Sequence, residues 1–204
     1  MKLIFASNNQ HKLFEVRQIL PTSIEVISLQ DVGFLKEIDE TGSTLEENSM
    51  LKAQEVWSWI NDKKPMDSID GIFADDTGLE IAALGGAPGV HTARWAGENA
   101  CDINNRQKVL RELTNESNRK ARFRTIISLI TRKEVIQVEG IVNGTIATQE
   151  EGNGGFGYDP IFIPEGYMNT FASLPADIKN NISHRGRAME ALKDVLTQYL
   201  TNTL

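Results

Sequence analysis

The chain has 204 residues, 40% of them apolar and 24% charged, with a formal net charge of −7; it is long enough for an ordinary core, and one domain with two lobes is expected. The acidic balance and a pI near 5.1 exclude a general nucleic-acid binder, which carries a basic stripe, so an anionic ligand needs local positive charge. Cys101 is the only cysteine, which excludes an internal disulfide, and no apolar run approaches the ~20 residues that span a bilayer, so a cytoplasmic protein without membrane contact is expected.

The start, Met1 to Ala6, turns polar at Ser7 and is too short for a signal-peptide core. Lys2 to Ala6 reads as a buried strand, the turn SNNQHK follows, and a helix is predicted from Gln10 to Leu20 with Leu13, Val16 and Leu20 on one stripe. A second strand, Ile24 to Ser28, leads to an irregular acidic segment, Lys36 to Ser43. The pairs Thr44 with Glu47, or Ser43 with Glu46, make a capping box before a helix ending near Asn61. After a polar break from Asp62 to Asp70, an apolar strand delivers Asp75 and Asp76 into a predicted Thr77-Gly78 turn; Leu79 to Leu84 and GGAPG complete a hairpin-like excursion. A helix from Ile103 to Leu113 precedes two long strands, Ala121 to Thr131 and Val135 to Ile146, expected to pair antiparallel. The glycine-rich loop Glu151 to Asp159, a short strand Pro160 to Ile163 and a final amphipathic helix complete the chain. Mixed strand and helix order predicts an α/β protein with a central mixed sheet and two lobes.

Four segments carry chemistry. Side chains alternate along a strand, so Ile72, Ala74 and Asp76 share one face and Phe73 and Asp75 the other. The adjacent carboxylates suit a divalent cation, or Asp76 merely caps an Asx-type turn. The loop Ser7 to Lys12 lies where amides and the dipole of the next helix favour an anion. Lys12 adds charge there, and two unit charges 4 Å apart gain ~4 kcal/mol at an effective dielectric of 20; the plainer alternative is an Asn cap beside a solvated lysine. Phe156 between Gly155 and Gly157 presents a plate for a flat ligand. Lys179, His184 and Arg185 bring donors toward the start of the last helix, against its dipole, which points to an acceptor-rich ligand, with Arg187 left as solvated charge.

Taken together, ASNNQHKLFE, ETGSTLEEN, FADDTGLEIAALGGAPGVHTARWAG, GNGGFGYDPIF and ISHRGRA resemble, in order and from Lys2 to about Leu192, the inosine triphosphate pyrophosphatase family. The resemblance implies an elongated α/β homodimer with a nucleotide cleft between two lobes. It also implies Mg²⁺-dependent hydrolysis of the non-standard purine nucleoside triphosphates ITP, dITP and XTP to monophosphate and pyrophosphate. By the same resemblance, Ser7, Asn8, Asn9, Gln10, His11 and Lys12 form a triphosphate loop and Lys52 is a second phosphate-binding lysine. Glu40 and Asp76 are metal ligands, Asp76 is also the proton acceptor, and Thr77 touches substrate where a serine is often found. Phe156, Gly157, Tyr158 and Asp159 match the base-binding loop, and Lys179, His184 and Arg185 the remaining nucleotide contacts. Thr92 stands where the family often has serine, which puts a role for Thr92 in doubt. The alternatives from the same residues are a nucleotide sensor without turnover and a pyrophosphatase of modified pyrimidines or methylated nucleotides; Glu40, Asp76 and the lysines weigh against the first, GGFGYD and SHRG against the second.

Overall fold

The computed structural model describes residues 1–63, 69–97 and 101–201; positions 64–68 of the expected polar break lie outside them. The strands are β1 (Lys2–Phe5), β2 (Glu25–Ser28), β3 (Gly71–Ile81), β4 (Pro88–Gly89), β5 (Lys120–Thr131), β6 (Val135–Ile146) and β7 (Phe162–Pro164). The helices are α1 (Gln10–Ile19), α2 (Leu45–Lys63), α3 (Asp102–Glu112), α4 (Ala176–Ile182) and α5 (His184–Thr201). Strand order is β2-β1-β3-β5-β6-β7, with β4 on β3. β1 pairs parallel with both β2 and β3, while β4 on β3 and β7 on β6 are antiparallel, so the sheet is mixed. The chain separates into two compact units: unit 1 is Met1–Asp76, Thr125–Gly140 and Ala188–Leu204, and unit 2 is Thr77–Arg124 and Ile141–Arg187.

In unit 1 the two-residue period of the strands sorts two cores. Leu3, Phe5, Phe73, Ile127 and Leu129 pack with Leu13 and Val16 of α1 and with Ala188, Met189, Leu192 and Leu196 of α5. Ile4, Ala6, Ile72, Ala74 and Ile130 pack with Ala53, Val56 and Ile60 of α2. Consecutive residues of one strand therefore anchor helices of two different cores. The capping box that starts α2 is the Thr44–Glu47 version: Thr44 Oγ1 accepts from the Glu47 amide at 3.1 Å, and Glu47 Oε2 accepts from the Thr44 amide at 3.2 Å.

Unit 2 has its own core of Leu79, Ile81, Val109, Leu113, Phe123, Val142, Ile146, Ile161 and Phe162, among others. Phe123 and Phe171 each contact Phe162, with ring centroids 4.7 and 5.3 Å apart. The predicted turn after Asp76 is not there: β3 runs unbroken through Thr77 and Gly78, because β4 pairs with it at Leu79 and Glu80 and extends its ladder. Thr92 latches this excursion, accepting from the Leu79 amide at 2.8 Å and donating to the Gly89 carbonyl at 2.6 Å. The strand expected at Pro160 begins at Phe162 instead, since Asp159–Ile161 form a 3-10 turn that the fixed φ of Pro160 suits.

Candidate active site

The last residue of unit 1 in β3 is Asp76, and the alternation predicted for it holds. Asp75, fully buried, faces α1 and accepts from Lys12 Nζ at 3.0 Å; Asp76 faces α2 and accepts from Lys52 Nζ at 3.0 Å. Lys52 Nζ also donates to Glu40 Oε1 at 2.7 Å, so one ammonium ties the loop before α2 to the strand. Burial works against charge on Lys52, yet Asp76, Glu40 and Asp75 hold its ammonium above the ordinary value. Burial likewise pushes the Asp76 carboxyl above the usual range; Lys52 opposes the shift and Glu40 adds to it. The carboxylates of Glu40, Asp75 and Asp76 thus gather around the ammonium groups of Lys12 and Lys52.

Gathered carboxylates suit a cation. Among the described residues no group of three His, Cys, Asp or Glu side chains is arranged to hold a metal, but Glu40 and Asp76 already converge on a single positively charged atom. Two carboxylates, with phosphate oxygens and water for the rest, form the donor set that Mg²⁺ favours.

The loop before α1 is more self-contained than its sequence suggests. Asn9 Oδ1 accepts from the amides of His11 and Lys12 at 3.0 and 3.1 Å, and Ser7 Oγ accepts from the Asn9 amide. The Asn cap therefore exists, and it takes two of the amides an anion would use, but Lys12 is not a solvated bystander because Asp75 holds it.

Unit 2 collects an aromatic ring and cations. Lys179 Nζ lies 5.0 Å and Arg185 Cζ 5.6 Å from the centroid of the Phe156 ring. Asp159 Oδ2 accepts from Lys179 Nζ and from the Phe156 amide, both at 2.8 Å. Gly155 has φ +70°, and a Cβ there would run into that carboxylate. Arg185 Nη2 donates to Thr77 Oγ1 at 3.4 Å, and the His184 ring stacks on Phe123 at 4.5 Å. Tyr158 packs inward: its hydroxyl donates to the Thr92 carbonyl at 2.7 Å, and burial, with Asp102 adding, drives its pKa far up, so it stays a neutral donor. Gly157 bends the chain at φ +60°. Arg187, read as solvated, donates to the Ile141 carbonyl at 2.7 Å.

The residues expected at the site thus fall into two groups. Glu40, Asp76, Lys52 and Lys12 meet in unit 1; Phe156, Asp159, Lys179, Arg185 and Thr77 are linked in unit 2. Ser7, Asn8, Asn9, Gln10 and His11 sit at the mouth of α1, Asn8 to His11 exposed. Two contributors had no motif to reveal them. Asp102 and Arg106 of α3 grip the Gly157 peptide, and their only trace in sequence is the i, i+4 spacing that puts both on one helix face.

The mixed α/β sheet thus carries a carboxylate–lysine cluster in one compact unit and a cation-flanked aromatic ring in the other. The chain belongs to the Ham1 family, whose model matches residues 3–195. It is similar to the dITP/XTP pyrophosphatases of Flavobacterium johnsoniae, 46% identical over 97% of this chain and 98% of that protein, and of Flavobacterium psychrophilum, 47% identical over 95% and 98%. Among solved structures, the Staphylococcus aureus Ham1 protein matches with a TM-score of 0.85 at 38% identity, covering 98% of this chain and 100% of that one.

Proposed function

We propose that the chain hydrolyses the non-standard purine nucleoside triphosphates dITP, ITP and XTP to the monophosphate and pyrophosphate, removing them from the nucleotide pool. The observation that carries this reading is Lys52 Nζ bonded to both Glu40 and Asp76: a cation and two carboxylates on one atom, with Lys12 on the opposite face of the same strand. Relatives with the same family pattern bear the name dITP/XTP pyrophosphatase. The two units act as one ITPase-like domain, residues 1–204, in a cytoplasmic homodimer. The lone cysteine and acidic charge suit that compartment; among the described residues no helix is long and apolar enough to cross a membrane.

Lys12 and Lys52 grip the triphosphate, helped by side chains of the Ser7 to Gln10 loop and His11 more than by the amides Asn9 already occupies. Glu40 and Asp76 would hold Mg²⁺, which when bound neutralises phosphate charge and makes a water more acidic. Asp76 takes the proton of the water attacking the α-phosphorus as the bond to the bridging oxygen breaks and pyrophosphate leaves. An ordinary aspartate near pKa 3.9 is a weak base at pH 7, so acidification of the water by a bound metal and the lysine grip on the polyphosphate would supply much of the catalysis.

Phe156 stacks on the purine, and Lys179, His184 and Arg185 supply donors. Hypoxanthine and xanthine offer a 6-keto acceptor to such donors, whereas the 6-amino group of adenine leaves them unmatched. Incubating the protein with Mg²⁺ and a panel of nucleoside triphosphates, with phosphate and pyrophosphate detected separately, tests this. Pyrophosphate from dITP, ITP and XTP, with ATP poorly used, is expected; phosphate alone, or equal rates on ATP and dITP, overturns it.

A further inference from the structure

We propose that Asp102 and Arg106, on the first turns of α3, are positioning residues that set the stacking plate of the nucleotide site by holding the peptide groups beside Phe156. The inference rests on the reading that Phe156 stacks on the purine, and it lies wholly within unit 2. The Phe156 ring is aimed by the two peptide units that flank its Cα. The amide before it donates to Asp159 Oδ2 at 2.8 Å, inside the loop's own turn. The amide after it, that of Gly157, donates at 2.8 Å to Asp102 Oδ2, a residue 55 positions away. Two carboxylates therefore fix both sides of one residue, and only one of them belongs to the glycine-rich motif.

Arg106 completes the grip. Its Nη1 donates to the Gly157 carbonyl at 2.8 Å, while Nη2 pairs with Glu150 Oε2 at 3.0 Å, just ahead of the loop. Asp102 and Arg106 stand one helical turn apart, so the N–H and the C=O of Gly157 are both bound from the same face of α3. Gly157 has φ +60°, a conformation that glycine adopts without favouring it over many others, so the chain on either side of Phe156 has no stiffness of its own. Elsewhere the loop is tied down at Glu151, whose amide donates to Pro160 O, and at Gly154, whose amide donates to Ala172 O. Between Gly154 and Tyr158 Asp159, Asp102 and Arg106 hold backbone groups, with Lys179 and Arg185 against the Phe156 ring itself. A ring ordered before the ligand arrives does not have to be immobilised on binding, which raises affinity without touching the reacting atoms.

An acidic residue in a first helical turn also steadies the helix through its dipole, and that purely structural role would move the melting temperature and leave substrate affinity alone. The test separates them. Asp102→Ala, Asp102→Asn, Phe156→Ala and the double variant Asp102→Ala/Phe156→Ala are titrated with dITP in EDTA, where turnover does not interfere, and assayed for kcat and KM with Mg²⁺. Asp102→Ala is expected to raise Kd and KM for dITP about three- to tenfold, the loss that follows when one side chain must be ordered on binding, with kcat within about twofold of wild type. Asp102→Asn keeps an acceptor oxygen for the Gly157 amide and is expected to recover wild-type values. In the Phe156→Ala background Asp102→Ala should add nothing, because the plate it aims is gone. If Phe156→Ala weakens dITP binding but Asp102→Ala does not, or if the two losses add in full, the positioning role is overturned while the stacking reading stands. If Phe156→Ala leaves Kd unchanged, the stacking reading falls and the positioning role with it.

Discussion

Unit 1 and unit 2 each bury a lysine against an aspartate, Lys52 against Asp76 and Lys179 against Asp159, yet the groups gathered around the two pairs differ in kind. In unit 1 three carboxylates face two lysines. In unit 2 Asp159 holds Lys179, and Lys179 and Arg185 lie over the Phe156 ring. Gathered carboxylates suit a further cation and a ring flanked by cations suits an acceptor-rich flat group, and on that ground the proposed function gives metal and phosphate chemistry to the first and base reading to the second.

The strongest break of this comparison comes at Asp76. Asp76→Asn removes the negative charge that both a cation and a proton need, and pyrophosphate release from dITP should fall at least ~10²-fold, the low end of what a positioned general base contributes. Circular dichroism should show an intact fold, because Asn still accepts from Lys52. Near-normal turnover would take Asp76 out of the mechanism.

Its neighbour should behave differently, since Asp75 is fully buried and its partner is not a metal ligand. Lys12→Met leaves that carboxylate without its ammonium, and breaking a buried pair from one side costs about 3 kcal/mol or more. Chemical denaturation of Lys12→Met should show that loss, and Asp75→Asn in the same background should recover much of it, because no charge is left buried. Equal stability of Lys12→Met and wild type would mean the pair contributes nothing to the fold.

How far the sequence reached differs between the units for the same physical reason. In unit 1 the opposite orientation of Asp75 and Asp76 follows from strand alternation, whereas Lys52 was reached only through the family resemblance and the helix behind each face was not assigned. Strands β5 and β6 and helices α1 and α3 also fall within about two residues of their expected bounds. What was missed depends on partners distant in sequence. The strand continues through Thr77-Gly78 because β4 returns to pair with it, and local turn propensity carries no trace of that. The short α4 was not foreseen, nor was the grip of Asp159 on the Phe156 amide and Lys179. A side chain that grips a backbone amide 55 residues away has no motif to announce it.

Base reading in unit 2 is sharpened by changing its donors without emptying its core. His184 stacks on Phe123 and Arg185 is buried, so replacement of each by Gln, in the double variant His184→Gln/Arg185→Gln, is preferable to truncation. If the pair reads the 6-keto group, kcat/KM on ITP should drop relative to ATP by about tenfold, a fraction of the ~10⁴-fold that a hydrogen-bonding site can impose. A parallel loss on both nucleotides would assign the pair to phosphate binding or to holding the loop.

The smallest expected effects concern the helix starts that carry these groups, and they separate the units by pH. Thr44 Oγ1 accepts from the Glu47 amide at the start of α2, and Ser183 Oγ accepts from the Gly186 amide at 3.0 Å at the start of α5. Thr44→Ala and Ser183→Ala should each cost about 1 kcal/mol, the usual worth of an N-cap side chain. Only α2 returns the bond: its third residue is Glu47, whereas Gly186 in α5 has no side chain to offer, and a Cβ there would collide with the Asn180 carbonyl. The Ser43 hydroxyl and the Ser43 and Thr44 amides hold the Glu47 carboxyl below its ordinary value. A folded-state pKa lower than the unfolded one contributes stability above the unfolded value, near 4.3, and that contribution disappears as pH falls through the folded value. The melting temperature of Glu47→Gln should therefore lie below wild type at pH 7 and converge with it in acid, while the gap between Ser183→Ala and wild type keeps its size across the same range. A Glu47→Gln gap that persists unchanged below pH 3 would mean that the carboxylate's charge plays no part in starting α2.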